Sequence, residues 1–72
     1  MKNKVKLLRK SSGMTQAELA KLVHVSSRTI ISLEREQYNP SLLLAYKIAL
    51  VFNITIEELY CLQENLELEE KK

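Results

Sequence analysis

The chain has 72 residues, 46% of them hydrophobic and 28% charged, a composition that excludes the disordered class and fits one soluble globular domain. At this length only about 60–65% of the unfolded surface is buried on folding, so neither long structureless loops nor a separate effector-binding domain is expected. The net charge of +2 hides an asymmetry: residues 1–38 carry eight Lys or Arg against three Glu (net +5), and residues 39–72 carry three Lys against six Glu (net −3), so the amino-terminal half suits a polyanion.

Glycine and proline occur once each, and Val, Ile and Leu recur at spacings of three and four, so the expected fold class is all-α. A first helix is expected from about Asn3 to Ser12, with Val5 and Leu8 on one face and Lys10 near the end, where it suits the helix dipole. Gly13 follows as the residue that takes positive φ without a Cβ penalty. Thr15 and Glu18 form a Thr-x-x-Glu capping box, which starts a second helix running to about Val23 with Leu19, Ala20 and Val23 inward. Ser26 caps a third helix reaching about Arg35, leaving His24 and Val25 as the connection.

Two short helices joined so tightly cross steeply, and the small Ala20 lets them approach. His24 takes the left-handed place in the turn, which histidine tolerates better than most residues. Residues 36–40 form a loop, with Asn39 pushed toward extended geometry by Pro40. Ser41 caps a fourth helix, about Leu42 to Phe52, and a second capping box, Thr55 with Glu58, opens a fifth that ends near Cys61. Beyond Leu62 the pattern fits a helix extension, a short strand or a loose tail equally, so residues 1–62 are taken as the domain and 63–72 as an acidic tail.

The stretch Leu42 to Ile56 is too short and too polar to span a bilayer, and no apolar run follows the basic start at Lys2, Lys4 and Lys6, so neither a membrane span nor a secretory signal is expected and the cytoplasm is the expected location. Cys61 is single and the one histidine, His24, is remote in sequence, so no disulfide, metal or other cofactor is expected and Cys61 reads as a filler. Aspartate is absent, and so are a histidine–carboxylate cluster and a glycine-rich phosphate loop, so an enzyme is not expected.

The third helix is the element with chemistry to offer. At 100° per residue Ser26, Thr29, Ile30 and Leu33 share one side, leaving Ser27, Arg28, Ile31, Ser32 and Arg35 on the other. An ordinary solvated helix shows Glu and Lys pairs there. Short hydroxyls let a helix backbone sink into the major groove, arginine grips guanine O6 and N7, and isoleucine meets a thymine methyl.

These segments together, Met14 to Ala20, Val25 to Ile30, Leu33-Glu34 and Tyr38 to Leu42, make the chain resemble the phage-repressor and Cro-like helix-turn-helix proteins, also called the XRE family, over about Lys4 to Leu59. The resemblance implies a compact five-helix bundle of the lambda-repressor-like type in which helices 2 and 3 form the DNA-reading pair. It implies that Gln16 bonds a phosphate, that Ser27, Arg28 and Ser32 reach base edges with Ile31 beside them, that Thr29 lies near the groove wall within reach of a phosphate, and that Ser26 belongs to the same DNA-binding set. Gln37, Tyr38 and Asn39 then clamp the DNA backbone, and Arg9 and Glu34 form a structural ion pair.

Two departures limit the likeness: the usual turn glycine is His24, and Leu7 and Leu43 stand where charges are common, as if facing a partner. One module contacts few base pairs, so a homodimer on a palindromic double-stranded operator is expected, with half-sites about 34 Å apart. Its interface is expected at Ile54, Tyr60, Leu62, Leu66 and Leu68, which exceed the needs of so small a core. The expected function is that of a transcriptional regulator, as a repressor. The rival reading keeps the fold but makes it an antitoxin or an antagonist of another regulator, acting through protein contacts.

Overall fold

The computed structural model describes residues 2–70. Six helices follow one another: α1 (Val5–Ser11), α2 (Gln16–Leu22), α3 (Ser27–Glu34), α4 (Leu42–Val51), α5 (Ile56–Tyr60) and α6 (Leu62–Glu70). The five expected helices are all present, and the segment left open after Leu62 forms a sixth. Met1, Lys71 and Lys72, counted above at the ends of the domain and the tail, lie outside the described residues.

Four helix starts are set by hydroxyl side chains that accept a backbone N–H of the first turn: Thr15 from Glu18, Ser26 from Thr29, Ser41 from Leu44 and Thr55 from Glu58. Both capping boxes close, because the Glu18 and Glu58 carboxylates reach back to the N–H groups of Thr15 and Thr55. The hydrogen bonds from the Thr15 N–H and hydroxyl hold the Glu18 carboxyl below the usual glutamate range.

The first helix starts two residues later than expected. Asn3 stays outside it, accepts the Val5 N–H on Oδ1 at 3.0 Å and donates Nδ2 to the Leu33 carbonyl at 2.9 Å, tying the start of α1 to the end of α3.

The helix ends obey one rule. After α1, α2, α3 and α4 a residue enters the left-handed region, namely Gly13, His24, Glu36 and Asn53, with φ of 68°, 61°, 62° and 55°. In each case the next N–H bonds a carbonyl five residues back: Met14 to Arg9, Val25 to Ala20, Gln37 to Ser32 and Ile54 to Ala49. These bonds satisfy carbonyls that a bare helix end would leave orphaned and turn the chain sharply enough for four-residue connections after α1, α2 and α4, so the link between α2 and α3 runs from Val23 to Ser26 rather than through His24 and Val25 alone.

Val5, Leu19, Ala20, Val23, Ile30, Leu33, Leu44, Ala45, Ile48, Ala49, Leu59 and Tyr60 form one core, with Leu8, Met14 and Val25 packed against its edge. Arg9 is buried beside it at 8% exposure.

The sixth helix is attached differently. Cys61, at φ 49°, breaks the chain direction between α5 and α6, and α6 contributes no buried residue. Polar contacts hold it: Asn65 accepts the Lys2 N–H and donates to the Lys2 carbonyl, both at 3.0 Å, and its amide also reaches the Tyr60 and Cys61 carbonyls. Lys2 Nζ pairs with Glu64 at 2.9 Å, while the Lys4 N–H, donating to the Leu59 carbonyl at 2.8 Å, ties the same amino-terminal segment to α5. No helix among the described residues is long and apolar enough to cross a membrane.

Candidate nucleic-acid interface

The packing of α3 against α2 decides which of its residues face outward. Ile30 and Leu33 have no exposed surface, so the opposite side is fixed toward solvent. On it Arg28 is exposed, and Ser27, Ile31 and Ser32 are half-buried. Ser26 is exposed and Thr29 half-buried, but their hydroxyls are already engaged. Ser26 Oγ accepts the Thr29 N–H at 3.3 Å and lies 3.2 Å from Thr29 Oγ1, so each spends part of its bonding capacity on the other. The loop residues Gln37, Tyr38 and Asn39 are all exposed, with Tyr38 at 44%.

Beside this face lies a three-residue relay. Arg9 Nε donates to Glu34 Oε2 at 2.6 Å and Nη2 to Glu34 Oε1 at 3.2 Å, while Nη1 donates to the Met14 carbonyl at 2.8 Å. Glu34 Oε1 accepts a further bond from Gln16 Nε2 at 3.1 Å. The side chains of Arg9 and Glu34 are 10% and 4% exposed, and every nitrogen of the guanidinium and both carboxylate oxygens make a hydrogen bond, the condition under which a buried charge is tolerated.

Burial pushes the Glu34 carboxyl up, but the bonds from Arg9 and Gln16 and the charges of Arg9 and Lys6 pull it below the usual range. The bond to Glu34 in turn raises the Arg9 guanidinium above its ordinary value. Gln16 therefore starts α2 with one amide hydrogen fixed to Glu34 and its carbonyl and second hydrogen left over. It lines a notch of about 220 Å³ with Lys6, Ile31, Glu34 and Arg35, where two cations stand next to the outer face of α3.

Of the residues read as a subunit contact, Leu62, Leu66 and Leu68 are exposed at 38%, 50% and 53%. Ile54 is half-buried against the core. Tyr60 corrects the expectation: at 2% exposure it belongs to the chain's own core, because α5 is a single short turn-and-a-half whose inward face is Leu59 and Tyr60. Its side chain joins the core cluster that includes Leu44, Ala45, Ile48 and Leu59. Sequence reasoning also missed the exposure of Leu42, Tyr46 and Leu50 on α4, at 77%, 50% and 59%. The available signal was that α4 is apolar on every side, which one buried face cannot use up.

Two helices crossing through a tight left-handed turn, the second offering a serine-arginine face beside a basic notch, define a helix-turn-helix DNA-binding module. The chain belongs to the helix-turn-helix family HTH_3, whose model matches residues 5–59, and so is an XRE-type DNA-binding transcriptional regulator. It is 51% identical over 72 residues to a chain of Archaeoglobus fulgidus named an uncharacterized HTH-type transcriptional regulator, covering 100% of both chains. A regulator of the same description from Bacillus subtilis is 44% identical over 64 residues, 89% of this chain and 97% of the relative. A protein of Acinetobacter baylyi named competence pilus inhibition repressor is 36% identical over 65 residues, 88% of this chain and 57% of the relative.

Proposed function

We propose that the protein represses transcription by binding a palindromic operator in double-stranded DNA as a homodimer in the cytoplasm, with α3 of each copy in the major groove. The observation that supports this most is the outward set Ser27, Arg28, Ile31 and Ser32 on a helix whose other side is locked by Ile30 and Leu33. Arg28 carries the guanidinium fork that reads guanine, and Ile31 offers the apolar surface that meets thymine methyls. Gln16, held by Glu34, and the exposed Gln37, Tyr38 and Asn39 supply the phosphate contacts that fix register, with Ser26 and Thr29 at the groove wall through the capacity their mutual bond leaves free.

The sign of regulation rests on occlusion: a module seated in the major groove covers its site against other proteins, and one relative carries the name of a repressor. Selection of bound fragments from random DNA at one stated salt concentration tests the proposal. It predicts a twofold-symmetric site, and an Arg28→Ala protein that loses preference at one base position per half-site at a cost of about 1–3 kcal/mol. An unchanged preference in that variant removes Arg28 from the reading set. The exposed leucines of α4 and α6 favour a second reading, an antitoxin or antagonist that acts through protein contacts. A selection that returns no enriched sequence, together with a stoichiometric protein complex, would establish it instead.

A further inference from the structure

Helix α4 is apolar on all sides except Lys47, and only one of its sides is used by the fold. Leu44, Ala45, Ile48 and Ala49 are buried in the core. At 100° per residue Leu42, Tyr46, Leu50 and Leu43 fall within an arc of about 100° on the other side. They are 77%, 50%, 59% and 63% exposed. A helix apolar all round belongs in an interior, so α4 has an interior on one side and is missing one on the other.

The bare stripe continues into a neighbouring groove of about 250 Å³, lined by Pro40, Leu42, Ala45, Ile56, Tyr60 and Leu62. Leu62 there begins α6, whose Leu66 and Leu68 are also exposed. Helix α6, nine residues long and with nothing buried, is shorter than a helix that persists on its own in water.

We propose that this face, the outer stripe of α4 together with the Leu42–Leu62 groove, is where a second copy of the chain docks. The inference rests on the dimeric reading above and moves its centre from α5 to α4. Three observations select a second copy as the occupant. Leu42, Leu43, Tyr46, Leu50 and Leu62 together expose on the order of 500 Å², so two copies meeting here bury roughly 1,000 Å² in all, the area at which a specific protein interface begins.

The stripe is its own complement, because Tyr46 lies at its middle with Leu42 one turn before and Leu50 one turn after. A twofold axis near Tyr46 therefore sets Leu42 of one copy against Leu50 of the other, as an isologous contact requires. The stripe carries no charge, so nothing on it addresses nucleic acid. The basic notch and the α3 face belong to other helices and stay free in such a dimer.

Sedimentation of the full chain at tens of micromolar tests this. The wild-type protein is expected as a dimer. Leu50→Glu, which adds a charge to an exposed position, is expected as a monomer with at least a tenfold weaker dimer affinity and an unchanged helical spectrum. Leu7→Glu makes the same change at a 63% exposed site on α1 and is expected to stay dimeric. Salt-dependent binding to a random-sequence duplex is read in parallel, where the monomeric Leu50→Glu protein is expected to bind with about half the wild-type slope of log affinity against log salt, since each binding unit then covers half as many phosphates.

A dimer that survives Leu50→Glu overturns this face and leaves the dimeric reading standing; a wild-type monomer overturns both. DNA binding that is absent from wild type and variants alike refutes the DNA reading, whatever the oligomeric state.

Discussion

Removing the Arg9 guanidinium strands a carboxylate that the fold has already taken out of water. In Arg9→Ala the Glu34 side chain, 4% exposed, keeps only the bond from Gln16, and the Met14 carbonyl loses its guanidinium donor. Breaking a buried pair from one side costs about 3–5 kcal/mol, chiefly the penalty of the charge left behind. A domain of this size has about 4–11 kcal/mol in all. Each kcal/mol moves the melting temperature by roughly 4–8 °C, so Arg9→Ala is expected to melt at least about 12 °C below wild type. Lys10→Ala, one residue on and exposed, is expected within about 0.5 kcal/mol of wild type.

The pH dependence supplies a sign. The Glu34 pKa is depressed in the folded wild type, so its contribution is present above the unfolded value and fades as pH falls through the lower, folded one. Without Arg9 the burial that pushes this carboxyl up is opposed only weakly, and Glu34 protonates earlier on the way down. The gap between Arg9→Ala and wild type therefore narrows as pH drops below about 4.3. Thermal melts by circular dichroism at neutral and acid pH measure both effects. Equal melting temperatures for Arg9→Ala and Lys10→Ala at neutral pH, or a gap that widens in acid, would refute the reasoning.

Further outcomes follow from other residues. Gln16→Ala should weaken binding to all DNA sequences alike, in contrast to the position-specific loss in Arg28→Ala, and a changed base preference in a selection experiment would contradict its assignment to phosphate. Tyr60 buries a hydroxyl with no hydrogen-bond partner and its pKa is pushed up to about 12 by that burial. Tyr60→Phe should therefore match or exceed wild-type stability in denaturant titrations. The raised pKa also means that wild-type stability is intact below pH 10 and falls as pH rises toward 12; Tyr60→Phe should lack that share of the alkaline loss. Thr15→Ala removes the acceptor for the Glu18 N–H at the start of α2 and should cost about 1 kcal/mol, read from the urea midpoint.

The starts of the helices were legible because a cap is a local event. Thr15, Ser26, Ser41 and Thr55 each announce a helix by a hydroxyl, and two of them by a glutamate three residues on. The ends were legible only where residue type betrays the left-handed turn: Gly13 does so and His24 does so weakly, whereas Glu36 adopts the same geometry with nothing in its chemistry to signal it. The outer face of α3 follows from periodicity alone. The Gln16–Glu34 bond spans 18 residues and depends on how α2 crosses α3, which spacing does not encode. Tyr60 shows the opposite failure: counting apolar residues says how many exceed a core, not which ones, and a short α5 turned it inward while α4 kept Leu42, Leu43 and Leu50 outside.

Sequence reading by this protein depends most on α3 meeting DNA with Ser27, Arg28, Ile31 and Ser32. Backbone amide shifts followed by NMR, as the protein is titrated with a duplex chosen by selection, test that directly. Large changes at residues 26–32, at Gln16 and at 37–39, with α4 and α6 unmoved, are the predicted result. Changes confined to α4, α5 and α6, with α3 unaffected, would contradict it.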